Sequence, residues 1–191
     1  MSKGKIIILS GPSGSGKTTI YKQVLQQKRF QGRLAKTVSV TTRPPRAGEK
    51  QGVDYSFISP KMFRYKIRAG HLFEYQKVFN HYYGTPKKNV RDILRSGKNV
   101  LLCIDVKGAL VVSRNYPQAV KIFIKTATLQ ELTRRLKKRK TEAQAIIDLR
   151  LKTAKQELAK AREYDYVVIN DKLQEAVQEV ADIISREIGP K

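Results

Sequence analysis

Acidic residues are scarce in this 191-residue chain: 16 Asp and Glu stand against 39 Lys and Arg, a formal net charge of +23. None precedes Glu49, so each acid of the first half invites inspection on its own. Residues 1–95 hold 20 basic and 4 acidic residues, and residues 96–191 hold 19 and 12. Cysteine is nearly absent too. The single Cys103 excludes an internal disulfide framework and reads as a buried strand residue rather than a reactive thiol. No apolar run approaches the roughly 20 residues of a membrane span. Met1–Lys5 lead straight into a strand-like stretch with no signal-peptide layout, so a cytoplasmic protein is expected. What the chain does have is 40% hydrophobic residues, too many for a disordered basic tail. Its length suits one domain with a sizeable core. The charge poses a choice between nucleic acid and a smaller phosphate ligand as partner.

Short apolar runs alternate with helical patterns. Strands are expected at Lys5–Ser10, Lys36–Thr41, Leu72–Phe79, Asn99–Asp105, Ala119–Ile124 and Tyr166–Ile169. Helices are expected at Lys17–Lys28, Pro60–Ala69, Lys87–Arg95, Leu129–Arg139, Ala143–Arg162 and Leu173–Arg186, and His81–Gly84 reads as an aromatic turn. This alternation argues for an α/β fold, a parallel sheet with helices on both faces. Residues 34–90 look mixed α+β and rich in aromatics, and residues 131–160 form a basic helical excursion; both read as insertions into one core of residues 1–33, 91–130 and 161–191.

Gly11-Pro12-Ser13-Gly14-Ser15-Gly16-Lys17-Thr18 matches the phosphate-loop pattern in full, after an expected strand and at the start of an expected helix. Its backbone N–H groups can point at phosphate oxygens, with the helix N-terminus behind them. Lys17 would neutralise β/γ-phosphate charge and Thr18 would hold Mg²⁺. By average residue usage such a match arises by chance in on the order of one chain in a hundred or fewer. Asp105, at the end of an apolar run, can reach that metal, or can simply cap the following helix.

Ser39–Arg46 (SVTTRPPR) puts Arg43 and Arg46 three residues apart on a proline-stiffened turn. Arginine forks match phosphate oxygens, and Tyr55 and Tyr83 could add phenolic donors. A solvated basic loop is the plainer reading of the pair alone.

With these segments in view, the chain resembles the guanylate kinases. The likeness runs from SGPSGSGKTT through SVTTRPPRAGE, GVDYSF, HYYGTP, NVLLCIDVKGA and RRLKKRKTE to the late Val168-Ile169-Asn170-Asp171. The resemblance implies a P-loop three-layer α/β/α core, an inserted GMP-binding subdomain at 34–90 and a helical lid at 131–160. It implies transfer of the ATP γ-phosphate to GMP, and to dGMP, with Mg²⁺ as cofactor. By analogy Gly11, Ser13, Gly14, Ser15, Gly16, Lys17, Thr18, Thr19 and Asn170 face ATP, with Asn170 near the adenine. Ser39, Arg43, Arg46, Tyr55, Glu74, Tyr83, Thr85 and Asp105 surround GMP, and Thr18 and Asp105 serve the metal. Glu74 would read guanine, whose N1–H and N2–H₂ are neighbouring donors to a carboxylate; adenine lacks that pair. Without the resemblance Glu74 reads as an exposed strand charge. Arg135, Arg139 and Arg150 fall where lid arginines reach the transferring phosphoryl group beside Lys17. On composition alone Arg134–Lys140 is a solvated basic helix or a nucleic-acid tract.

Three positions depart from the family pattern. Cys103 stands where an acid is usual, Lys107 where glutamine is usual, and Lys140 replaces a lid glycine. The competing readings are a guanylate-kinase-like binding module that has lost catalysis, and a P-loop kinase of another nucleoside or sugar phosphate. Specific nucleic-acid binding finds no motif, though weak nonspecific binding remains compatible with the charge. The protein is expected to be a monomer or homo-oligomer with no membrane partner.

Overall fold

The computed structural model describes residues 4–137 and 144–190. Its main sheet contains β1 (Ile6–Ser10), β2 (Leu34–Lys36), β7 (Asn99–Cys103), β8 (Val120–Lys125) and β9 (Tyr166–Ile169). All pair in parallel, in the order β2-β7-β1-β8-β9. The central strand β1 is buried on both faces, which its unbroken Ile-Ile-Ile-Leu run requires. Successive side chains point to opposite faces. Ile7 and Leu9 pack with α1 (Lys17–Gln26) and α7 (Leu173–Ile188), through Ile20, Val24, Val177, Val180 and Ile184. Ile6 and Ile8 pack the other way, with Val90 of α3 (Lys87–Arg95) and Ala109 and Val112 of α4 (Val106–Asn115). The result is three layers. Truncating fully buried Ile8 to Ala would cost about 2–5 kcal/mol.

A second sheet has the order β4-β3-β6-β5. It is formed by β3 (Val40–Thr41), β4 (Ser56–Phe57), β5 (Leu72–Val78) and β6 (His81–Pro86), with α2 (Pro60–Arg68) between β4 and β5. Two expectations need correction here. The strand expected over Lys36–Thr41 is two strands in two sheets: β2 ends at Lys36 on the edge of the main sheet, and the chain then crosses to the second sheet at Val40. The aromatic turn expected at His81–Gly84 is strand β6, in keeping with the preference of aromatics for strands. The turn itself is Phe79-Asn80, because Val78 pairs with His81. Helix α4, which had no separate sequence expectation beyond a cap at Asp105, begins where that cap sits.

Helices α5 (Leu129–Lys137) and α6 (Gln144–Leu158) pack on each other through Leu132, Leu136, Leu151, Ala154 and Leu158. Arg139 and Lys140 lie outside the described residues.

Candidate active site

The site lies at the carboxyl ends of β1 and β7, neighbouring strands of the main sheet. Residues 11–16 leave β1 and turn into α1. Gly16 holds the helix N-cap at φ 90°, a left-handed conformation, and a Cβ there would stand 2.1 Å from the Asn170 amide nitrogen. That amide nitrogen donates to the Ser15 carbonyl at 2.8 Å. Asn170 is thus buried behind the phosphate loop as a buttress. Arg135 joins the buttress: one nitrogen donates to the Asn170 carbonyl at 3.0 Å and another to Glu131 at 2.7 Å.

A cavity of about 260 Å³ opens over the loop. Gly11, Ser13, Gly14, Gly16, Lys17, Thr18 and Thr19 line one end. Ser39, Arg46, Tyr55, Glu74 and Tyr83 line it from the second sheet, with Asp105 and Arg150 also on the wall. Ser15, Arg43, Thr85, Arg135 and Asn170 do not line it. Ser15, Asn170 and Arg135 brace the loop, while Thr85 and Arg43 act on wall residues as follows.

Glu74 is 5% exposed, and Thr85 donates to its carboxylate at 2.6 Å. A register irregularity between Leu72 and Glu74, opposite Pro86 and Thr85, re-aims the strand there. Phe73 meanwhile packs on Tyr116, just past the end of α4, with ring centroids 4.7 Å apart. Gly108 in the first turn of α4 makes room: a Cβ there would stand 2.7 Å from Glu74 Oε2. Burial pushes the Glu74 carboxyl up to about 7; its Thr85 bond opposes this and Asp105 adds to it.

Arg43 is almost buried, and its guanidinium is held from within its own loop. One terminal nitrogen donates to both Glu49 oxygens, at 2.8 and 2.9 Å, and the other to the Pro44 carbonyl at 2.7 Å. Glu49 also accepts from the Arg46 N–H at 2.8 Å. The Arg43 guanidinium lies 5.6 Å from the Tyr55 ring centroid, and Tyr83 meets Tyr55 edge-on at 6.1 Å. Burial pushes the Tyr55 hydroxyl up to about 12 and keeps it a donor.

Asp105 caps α4, accepting the Gly108 N–H at 2.8 Å, so the capping reading holds while the carboxylate also lines the cavity. Burial raises its carboxyl above the ordinary range. Cys103 is partly exposed in the cavity wall rather than enclosed in the sheet. Burial pushes its thiol up, against Lys17 and a hydrogen bond with Thr18, which disfavours a thiolate. Lys107 is exposed.

Sequence reasoning missed six wall residues: Val78, Phe79, Gly84, Ile104, Thr153 and Glu157. Glu157 is half-buried; burial pushes it up to about 7, with Lys17 and Lys107 opposing and Asp105 reinforcing. Its helical spacing from Arg150 and Thr153 was the available signal.

Among the described residues no group of three or more His, Cys, Asp or Glu could cage a metal. A hydroxyl and a carboxylate in one cavity do suit a hard cation that arrives on phosphates and keeps several waters.

The guanylate kinase family model matches residues 3–187. The chain belongs to the guanylate kinase family. It is 44% identical over 187 residues to a guanylate kinase of Clostridium tetani, covering 98% of this chain and 88% of that one. It is 40% identical to that of Rickettsia prowazekii, covering 97% and 93%. A crystal structure of guanylate kinase from Anaplasma phagocytophilum superposes with a TM-score of 0.82 at 32% identity, over all of this chain and 89% of that one. Family membership makes the chain a nucleotide-binding kinase, and the general reaction of guanylate kinases is phosphoryl transfer between ATP and GMP. No described helix is long and apolar enough to cross a membrane.

Proposed function

We propose that this chain transfers the γ-phosphoryl group of ATP to GMP and dGMP, with residues 34–90 as the GMP-binding subdomain and residues 131–160 as a lid. The observation that carries the reading is one cavity lined by both a phosphate loop and the buried Glu74 carboxylate.

The phosphate-loop N–H groups and Lys17 hold the β/γ-phosphates, with Asn170 and Arg135 keeping the loop in shape. Asn170 near the adenine, as the family analogy has it, is an additional role for its buried amide. Arg46, Tyr55 and Tyr83 line the cavity to hold the GMP phosphate, Arg43 joins them by family analogy from just behind that wall, and Glu49 sets the Arg43–Arg46 loop beforehand, so less freedom is lost on binding. Ser39 and Thr85 complete the GMP site, Thr85 through Glu74. Glu74 accepts the guanine N1–H and N2–H₂ in its ionised form. Thr18 and Asp105 would hold Mg²⁺, which neutralises phosphate charge and orients the reacting group. Lys17 and Arg150, which line the cavity, stabilise the charge of the migrating phosphoryl group, Arg135 and Arg139 join them by family analogy on closure, and the closed lid excludes water as a competing acceptor. Cytoplasmic location, a monomeric or homo-oligomeric state, and at most weak nonspecific nucleic-acid binding complete the reading.

The test is ATP-dependent phosphorylation across GMP, dGMP, AMP, CMP, UMP and ribose phosphates, with and without Mg²⁺. Turnover should be confined to GMP and dGMP, require the cation, and fall at least a hundredfold in Lys17→Ala. Equal turnover of AMP would sink the reading.

A further inference from the structure

Among the described residues, Phe79 is the one non-glycine with a positive φ, at 54°. A bulky aromatic there carries a steric cost that glycine would avoid and asparagine would lessen. It occupies the first position of the two-residue Phe79-Asn80 loop between β5 and β6, where such small residues are the usual choice. The ring reaches the cavity wall, and the Arg150 guanidinium lies 5.3 Å from its centroid. That is within the range of a cation–π contact.

The two residues come from different elements: Phe79 from the hairpin loop of the second sheet, and Arg150 from α6. On α6, Arg150, Thr153 and Glu157 form one stripe along the cavity, while Leu151, Ala154 and Leu158 fasten the other side to α5. Arg150 is therefore based on a packed helix and topped by a ring with little backbone freedom.

We infer that Phe79 is a positioning residue for Arg150: its ring seats the guanidinium over the cavity and links the GMP-side sheet to the lid helix. The inference rests on the proposed catalytic role of Arg150. An arginine has four side-chain torsions, and a π-face against its guanidinium narrows them, alongside the residue's other contacts, before substrate arrives. The backbone cost at Phe79 is then the counterpart of an ordered site. Because the contact orients the charge assigned to the migrating phosphoryl group rather than the groups assigned to hold either nucleotide, its loss should appear mainly in kcat, with KM for GMP and ATP nearly unchanged.

The experiment measures kcat and both KM values for Phe79→Leu, Phe79→Gly, Phe79→Trp and Arg150→Ala. Phe79→Leu and Phe79→Gly should each lose about three- to thirtyfold in kcat, the span of a cation–π contact from exposed to desolvated surroundings. Phe79→Gly also relieves the left-handed backbone, so its thermal midpoint should stay level or rise while kcat falls, which misfolding would not produce. Phe79→Trp should retain most of kcat. The chain has no tryptophan, so that variant also reports by fluorescence: adding Arg150→Ala should shift its emission, and in the double variant with Phe79→Leu the kcat losses should not multiply. If Arg150→Ala loses turnover while Phe79→Leu keeps full kcat, or if the Phe79→Trp emission ignores Arg150, the positioning role is overturned and the kinase reading stands. If Arg150→Ala turns GMP over at the wild-type rate, the role assigned to Arg150 fails and this inference falls with it.

Discussion

Replacing Glu74 by Gln should move activity and stability in opposite directions. Glu74 is 5% exposed, and one of its oxygens already accepts the Thr85 hydroxyl. Glutamine keeps one acceptor and turns the other into an N–H₂ donor facing a guanine donor. A charge-assisted hydrogen bond is lost and two donors are left opposed, together about 2–4 kcal/mol. That is a fall of roughly 30- to 1000-fold in kcat/KM for GMP. Stability in the ligand-free protein goes the other way. The folded carboxyl is raised to about 7 from the ordinary 4.5, so the folded state binds the proton more tightly than the unfolded chain. Its contribution is intact below about pH 4.5 and is lost as pH rises towards 7, with ionisation in a buried site costing up to about 3 kcal/mol at pH 8. Glutamine does not ionise. The variant should therefore match the wild type at pH 4.5 and melt above it at pH 8, by up to about 6–12 °C. Calorimetry at the two pH values and initial rates with GMP read both effects. A kcat/KM loss below fivefold, or a melting difference equal at both pH values, would refute the reasoning.

Gly108→Ala should damage the same site from the other side, because its Cβ would stand 2.7 Å from Glu74 Oε2; KM for GMP should rise about tenfold or more with KM for ATP little changed. Cys103→Asp should leave GMP turnover equal or higher, since the position lines the cavity beside Lys17 and Thr18; a large loss would contradict that. If the +23 charge steers nucleotides inward, kcat/KM should fall severalfold between about 0.01 and 0.3 M salt as the screening length shortens, while a flat response would assign the surplus to the surface alone.

The middle of the main sheet was legible because β1 and β7 bury their apolar residues on both faces and so carry unbroken apolar runs. The second sheet was less so. Its strands β3 and β4 have two residues each, too few for any period to register, and Lys36–Thr41 hid a change of sheet inside one β-like run. The phosphate loop was fully written in its glycines and lysine. Glu74 was not: an acid in a β pattern looks solvent-facing until the irregularity beside it and the missing Cβ of Gly108 bring it inside. Glu157 and Phe79 escaped because neither belongs to a motif. One depends on which face α6 turns inward, the other on a hairpin loop two residues long.

The Arg43–Glu49 pair makes the entry of the acceptor a contest between anions. Before any ligand arrives, the guanidinium has an internal carboxylate on it through two hydrogen bonds. A newcomer gains from Arg43 only by out-competing, or sharing with, a group of charge −1. A phosphate monoester near −2 can do that, and a neutral nucleoside brings nothing to the exchange. The loop thereby sets a floor on charge that is separate from the reading of the base, and the affinity of guanosine relative to GMP measures its height.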